Sequence, residues 1–467
     1  MEITPIGWLV IPLGILLFIG YPEGLYALTI FFIPFTATSI LNSGSGETGA
    51  GIQPFMFFGL LLLFHDFGVA LYQMKFRFPL PLRRAVLLYI LFLFVCGASL
   101  AMPIVIDGNL YVPSNGLLSA TLEPLVFNLG RVKVFLGLVF GLLLTISIAR
   151  RNMTPQSFFR SAKIYIVSGV FICMWGVLQE ILYLMGTPYP YVIFNNSASL
   201  NAQGYDAVLD SIALRRISSV ALEPSTLAIT LLGMIPFLVI PIVSQNRLFG
   251  KYSDLLIGAL LLITLVLTTS STGILGFAAF CILLPFSVAE FHDLRRRILL
   301  SFVVVALVTA TIYAAVPAVR NFIQETVFNK SGSYSALERG IVVYNDYLYF
   351  KQYPILGIGW GSAPTHDTIF GILSNCGLLG LVTFAGLIGY IIGSLWKQLK
   401  TLAISRTTRN ISCIMLLSTC TTIAAYVSSS LPGGGTFYVI LGLAIAALGI
   451  TTESQGPGQI VHLVERP

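Results

Sequence analysis

Runs of about twenty apolar residues, broken by short polar segments, recur along most of this chain, which is the length needed to cross a hydrocarbon layer as a helix. Inside such a layer no water can satisfy the backbone, so only helices or a closed barrel can span it. The runs lack the alternation of a barrel strand, and helices are therefore the expected element. Only 10% of the 467 residues are charged and the mean hydropathy is +0.89, whereas soluble domains carry about a quarter charged residues. The expected fold is all-α: a polytopic transmembrane bundle of about 12–14 helices forming one integral membrane domain over 1–467. Helices are expected near 6–20, 24–41, 54–72, 85–102, 133–149, 164–184, 224–244, 254–268, 272–289, 299–316, 369–394, 411–430 and 436–450. No internal repeat is evident. The six cysteines lie in or at the ends of apolar runs without a C-x-x-C, which fits small packing residues rather than a zinc site or disulfide framework.

The net charge of +7 would suit a nucleic-acid binder only if it were clustered for that purpose. Instead Lys75, Arg77, Arg83, Arg84, Arg150, Arg151, Arg160, Lys163, Arg247, Lys251, Arg295 to Arg297, Lys397, Lys400, Arg406 and Arg409 fall in short connections between apolar runs. That is the positive-inside pattern, and it calls for no anionic partner beyond lipid. It places 103–132, 185–223, 268–272, 317–368 and 431–435 outside and the C-terminus inside; the N-terminus falls outside if Tyr21-Pro22-Glu23-Gly24 forms a hairpin. No Lys or Arg precedes Lys75, so the first run reads as a retained helix rather than a signal peptide. The external loops 185–223 and 317–368 are long enough to be functional, and Val319–Val327 and Ser335–Phe350 within the second have helical composition. Residues 451–467 read as a polar, disordered cytoplasmic tail.

A few cations break the positive-inside trend: Arg131, Lys133, Arg215, Arg216, Arg320, Lys330, Arg339 and Lys351. Either they bind an anion at the outer surface, for which the planar guanidinium is suited, or they are solvated or paired with Glu325, Glu338 or Asp346. For Arg320, Lys330 and Lys351 the second account suffices. Arg215-Arg216 precedes Glu223-Pro224-Ser225 and an apolar helix; Pro224 suits a first helical position, leaving Glu223 near the N-cap. If 216–223 is helical, Arg216 and Glu223 share a face.

Of the four histidines, His292 and His462 sit in polar surroundings, and His65-Asp66 lies in an apolar run near its inner end, fitting an interfacial or structural role. His366 differs. It follows Pro354, Gly357, Gly359 and Gly361, which let a backbone turn tightly against a ligand, and it immediately precedes an apolar helix. A neutral imidazole there can take a proton from an attacking hydroxyl, with Asp367 as an alternative base or as an orienting group.

The order Arg339, then Pro354-Ile-Leu-Gly357-Ile-Gly359-Trp-Gly361, then His366-Asp367, then Gly377-Leu-Leu-Gly380 resembles the signature of bacterial O-antigen polymerases and O-antigen ligases. The resemblance covers Arg339 to about Gly380 and, more loosely, the layout from Arg215 onward. It implies a GT-C-like, metal-independent glycosyltransferase with no cofactor. His366 would be the base on the acceptor hydroxyl, while Arg339 and one of Arg215 or Arg216 hold the donor's pyrophosphate. Its substrates would be polyprenyl-pyrophosphate-linked oligosaccharides at the periplasmic face of a bacterial inner membrane. A chain-length regulator and a flippase are the expected companions. Two departures stand out: many relatives carry His-Asn where this chain has His366-Asp367, and Ser-Arg where it has Thr269-Ser270-Ser271-Thr272. Arg131 or Lys133 could supply the missing cation. With the Arg…Glu-Pro-Ser order, that absence favours a polymerase over a ligase.

Gly44-Ser-Gly46-Glu-Thr-Gly49 fits G-x-G-x-x-G but joins membrane segments and follows no strand, so the dinucleotide reading fails its context and a flexible connection is expected. A rival from another class is a transporter of lipid-linked glycan. That would place ionisable groups deep in the helices and often shows repeated halves, whereas Glu180 is nearly the only such charge beside His65-Asp66.

Overall fold

The computed structural model describes residues 2–44, 50–73, 80–113, 121–198, 208–209, 214–288, 295–296, 299–300, 311, 313–324, 334–401, 404–431 and 433–453. The expected helix over 299–316, the connection at 45–49, Lys330 and the tail beyond 453 lie wholly or largely outside these residues, as does the side chain of Arg215.

The chain is an all-α polytopic membrane protein. Its helices are α1 (Gly7–Gly20), α2 (Pro22–Phe31), α3 (Pro54–Gln73), α4 (Leu80–Ser99), α5 (Met102–Ile106), α6 (Leu129–Arg151), α7 (Pro155–Leu184), α8 (Tyr191–Phe194), α9 (Pro224–Met234), α10 (Pro236–Val243), α11 (Lys251–Leu267) and α12 (Ser271–Ser287). They continue with α13 (Pro317–Ile323), α14 (Tyr334–Gln352), α15 (Thr368–Lys400), α16 (Arg406–Val427) and α17 (Gly435–Glu453). Among the described residues seven spans are long and apolar enough to cross a membrane, and three shorter apolar helices accompany them. Among the described residues strands are confined to short connections: β1 (Glu2–Ile3), β2 (Leu41–Ser43), β3 (Ala50–Ile52), the hairpin of β4 (Tyr111–Pro113) with β5 (Leu122–Pro124), β6 (Val208–Leu209) and β7 (Leu214–Arg215). The run expected over 24–41 stops as a helix at Phe31, because Pro34 cannot supply the next turn's N–H and the chain bends into a strand at Leu41–Ser43.

The spans over Pro224–Val243 and Arg406–Val427 are 78% buried and form the centre, against 28% for the span in α3, which leaves most of its apolar surface to lipid. Close approach uses small residues: a Cβ on Gly141 would lie 2.1 Å from the Tyr438 ring, and one on Gly276 2.4 Å from Leu232.

The connections expected inside meet at one end. Arg406 donates to the Ser244 carbonyl, Asn410 to the Ser244 hydroxyl, and Met153 packs on Gly449. Arg151 bridges Glu23 and Asp66, and Ser147 donates to Asp66, so the His65-Asp66 pair belongs to a structural network at that end. The opposite end carries α14, the β4–β5 hairpin and the glycine-rich turn, joined by a small apolar cluster of Ile106, Val112, Leu125, Tyr349, Ile358 and Ala363.

Candidate active site

The glycine-rich turn is the scaffold, and its sequence is dictated by how closely it approaches α15. Gly357, Gly359 and Gly361 all have positive φ (63°, 111° and 71°). A Cβ on Gly357 would lie 2.3 Å from the Ser374 carbonyl. α15 is broken at Gly377 (φ 66°, ψ −165°), and the chain before His366 docks into that break. Ile358 N donates to Ser374 O, Gly359 N to Asn375 O and Leu378 N to Pro354 O, so the groups freed by the kink are satisfied by the turn. The Asn375 side chain accepts from Ser362 N and Ala363 N, and Ser99 Oγ accepts from Trp360 N. The backbone ahead of His366 is thereby clamped to α4 and α15.

His366 is half-buried and makes no hydrogen bond among the described residues. Burial pushes its pKa below the ordinary value, the charge of Arg339 pushes it further down, and Glu223 opposes both. These three residues, from α14, the head of α9 and the turn before α15, therefore share one electrostatic site. Glu338 joins them: burial and the Glu223 charge raise its carboxyl, while Arg339 lowers it. No ion pair forms between these groups at salt-bridge distance.

Both arginines reach hydroxyls of one short stretch. Arg339 Nη1 donates to Ser271 Oγ at 3.3 Å and to Ser428 O at 3.4 Å. Arg216 Nε donates to Thr269 Oγ1 at 3.1 Å. The two hydroxyl acceptors both belong to Thr269-Ser270-Ser271-Thr272. Thr269 is left-handed (φ 46°), and Ser270 is the N-cap of α12 without a capping side-chain bond, its buried Oγ lacking a partner. Two guanidinium groups thus flank a helix N-terminus whose first N–H groups and dipole favour an anion.

The remaining candidates fall differently. Glu223 occupies the N-cap of α9 with Pro224 at the first helical position, and Ser225 Oγ donates to its Oε2 at 3.0 Å. Residues 216–223 are not helical. Ser218 N and Ser219 N donate to Gln179 Oε1, and Ser219 is left-handed (φ 53°), so an irregular loop joins Arg216 to Glu223 and the two do not share one helix face. Asp367 is the N-cap of α15, accepting from Phe370 N at 2.8 Å. Arg131 begins α6 with its guanidinium donating to the Val126 carbonyl, and no hydrogen bond or ion pair links it to Arg216, Glu223, Arg339 or His366. Arg320 donates to the carbonyls of Tyr313 and Ala314. Asn375 and the hydroxyl acceptors were missed as functional candidates. The signal was a Thr-Thr-Ser-Ser-Thr run at 268–272 between two apolar helices. Among the described residues no group of three or more His, Cys, Asp or Glu could hold a metal.

Residues 256–385 match the family model described as O-antigen ligase. The matched segment contains Thr269 to Thr272, Arg339, the glycine turn, His366 and the Gly377 kink; Arg216 and Glu223 precede it. No curated protein matches the chain.

Proposed function

For a membrane protein whose residues 256–385 match the family model described as O-antigen ligase, we propose a polymerase that joins lipid-linked oligosaccharide repeat units. The growing glycan moves from its polyprenyl pyrophosphate to a hydroxyl of the next lipid-linked repeat. The acceptor O–H proton passes to His366 as the oxygen bonds to the anomeric carbon, and the bond from that carbon to the pyrophosphate breaks. Arg339 and Arg216, at the head of α12, take up the charge that develops on the leaving pyrophosphate. Fixed donors placed where charge develops are typically among the largest catalytic contributions. Glu223 opposes the lowering of the imidazole pKa by Arg339.

The observation that carries this reading is His366 itself: an imidazole with no hydrogen-bond partner among the described residues, held by a clamped turn beside hydroxyl-bound Arg339. Its depressed pKa keeps it neutral, and so able to accept a proton, at neutral pH. The site lies at the end opposite the basic connections, which the positive-inside rule puts on the periplasmic side of an inner membrane. A chain-length regulator and a flippase are the partners such a polymerase calls for.

A ligase that transfers finished glycan to lipid A core is the second reading, favoured by the description of the matching family. Purified protein in lipid, given only undecaprenyl-pyrophosphate-linked repeat units, separates the two. A ladder of longer lipid-linked chains, reduced about a hundred- to ten-thousandfold in His366→Ala, is the expected result. Product formed only after lipid A core is added would identify the ligase instead.

A further inference from the structure

Asp346, on α14 seven residues beyond Arg339, is 0% exposed, and neither carboxylate oxygen has a partner at hydrogen-bond distance; the neighbouring Ser374 hydroxyl, which would favour the charged form, donates to the Gly371 carbonyl at 3.1 Å. No ion pair reaches it among the described residues. The polar groups around it are Ser374 and Asp367 of α15 and Tyr349 of its own helix, whose hydroxyl donates to the Tyr111 carbonyl. None of these is a cation. Ser374 is also the residue whose carbonyl takes Ile358 N, and Asp367 is the cap that follows His366. Asp346 therefore lies against the two points at which the His366 turn is fastened to α15.

We infer that Asp346 is a positioning residue: a neutral carboxylic acid whose proton lets α14 seat against the head of α15 and so holds the His366 turn in place. An ionised carboxylate buried without a partner is strongly unfavourable, and protonation is the way such a group avoids that state. Neutral, it gains an O–H donor, and the Ser374 hydroxyl is the acceptor at hand. Charged, it would repel Asp367, the residue next to His366. Burial, opposed by the Ser374 hydroxyl and helped by the charge of Asp367, raises the carboxyl to about 7, so the neutral form gives way near physiological pH. Only the consequence for glycan transfer rests on the function proposed above; the protonation and the docking do not.

The linkage has a definite sign. A carboxyl whose folded pKa is raised from 3.8 to about 7 favours the proton in the folded state by about a thousandfold. Its stabilisation is complete below the unfolded value and is lost as pH rises to about 7. Asp346→Asn keeps a neutral side chain at every pH, so the substituted protein should not show this loss.

The test is an infrared titration of the purified protein, with thermal melting and hydrogen exchange read on the same samples. A protonated-carboxyl band that fades around pH 7, is missing in Asp346→Asn and persists in Glu338→Gln is the expected signature. Asp346→Asn should melt higher than wild type at about pH 8, and peptides spanning 353–366 should exchange more slowly in it there, the difference shrinking toward pH 5.5. Glycan transfer, where measured, should lose its alkaline limb near pH 7 in Asp346→Asn. Absence of the band in wild type, or identical melting and exchange profiles for the two proteins, overturns the inference. Should Asp346→Asn fail to fold, the titration of wild type and Glu338→Gln alone decides. A failure to find any glycan transfer would count against the proposed function without touching these readouts.

Discussion

At the scale of single residues, the site is a contest of fields at His366. Arg339 lowers its pKa and Glu223 raises it, while burial adds to the effect of Arg339. A general base must be neutral, so transfer should fall as pH drops through the His366 pKa, and that acid limb should lie below 6.5. The two charges then give opposite predictions. Glu223→Gln removes the one opposing influence and should move the acid limb to lower pH. Arg339→Gln should move it toward neutrality while cutting the rate about a hundred- to a thousandfold, as loss of a charge-stabilising donor does. Residual kcat/KM against pH for both variants measures this, and shifts in the same direction would show that His366 is not the titrating base.

At the scale of elements, the glycines of the turn and of the helix answer each other. Gly377 supplies the break and the 353–359 backbone fills it, each needing positive φ and the absence of a Cβ at close quarters. A methyl on Gly377 would sit 2.2 Å from the Ile355 carbonyl, so Gly377→Ala should destabilise the protein by at least about 2 kcal/mol. Gly386 is the matched control on the same helix: nothing lies within 4 Å of its Cβ position, and Gly386→Ala should be neutral or stabilising. Thermal melting in detergent compares the two, and equal effects would contradict the docking geometry. The positions of both partners were legible in the sequence, since Pro354-x-x-Gly-x-Gly and Gly-Leu-Leu-Gly bracket His366; their pairing was not. Hydrogen bonds such as Leu378 N to Pro354 O join residues far apart in sequence, and no local periodicity encodes them. The convergence of Arg216 and Arg339 on the 268–272 hydroxyls was hidden for the same reason. Glu223 at a helix start could be read because Pro224 has a local preference there. The apolar helices were readable because a span must satisfy its backbone within itself. Boundaries shifted where other forces decide them: Pro34 ends the run after Phe31, and the helix expected from 164 begins at Pro155, where Thr154 caps it, because a polar first stretch can still be helical.

At the scale of the whole molecule, function separates by end. The end holding Arg151, Lys397, Lys400 and Arg406 is stitched by ion pairs and carbonyl contacts that leave little for a ligand to displace. The other end holds Arg216 and Arg339, which donate to the hydroxyls of Thr269 and Ser271, and a histidine with no hydrogen bond among the described residues. A lipid-linked donor needs its headgroup at one membrane surface while its chain stays in the hydrocarbon, so the orientation of the bundle decides which compartment supplies the glycan. Lys351, exposed at the end of α14, and Lys400, exposed at the end of α15, mark the two sides. In a background with its own cysteines replaced, a membrane-impermeant thiol reagent applied to cells with a permeabilised outer membrane should label Lys351→Cys and spare Lys400→Cys until the inner membrane is opened. The positive-inside rule predicts this because Lys400 lies with Arg406 and Arg409 in one short connection. The reverse pattern would place His366 and both arginines in the cytoplasm, where the proposed polymerisation of exported repeat units could not take place.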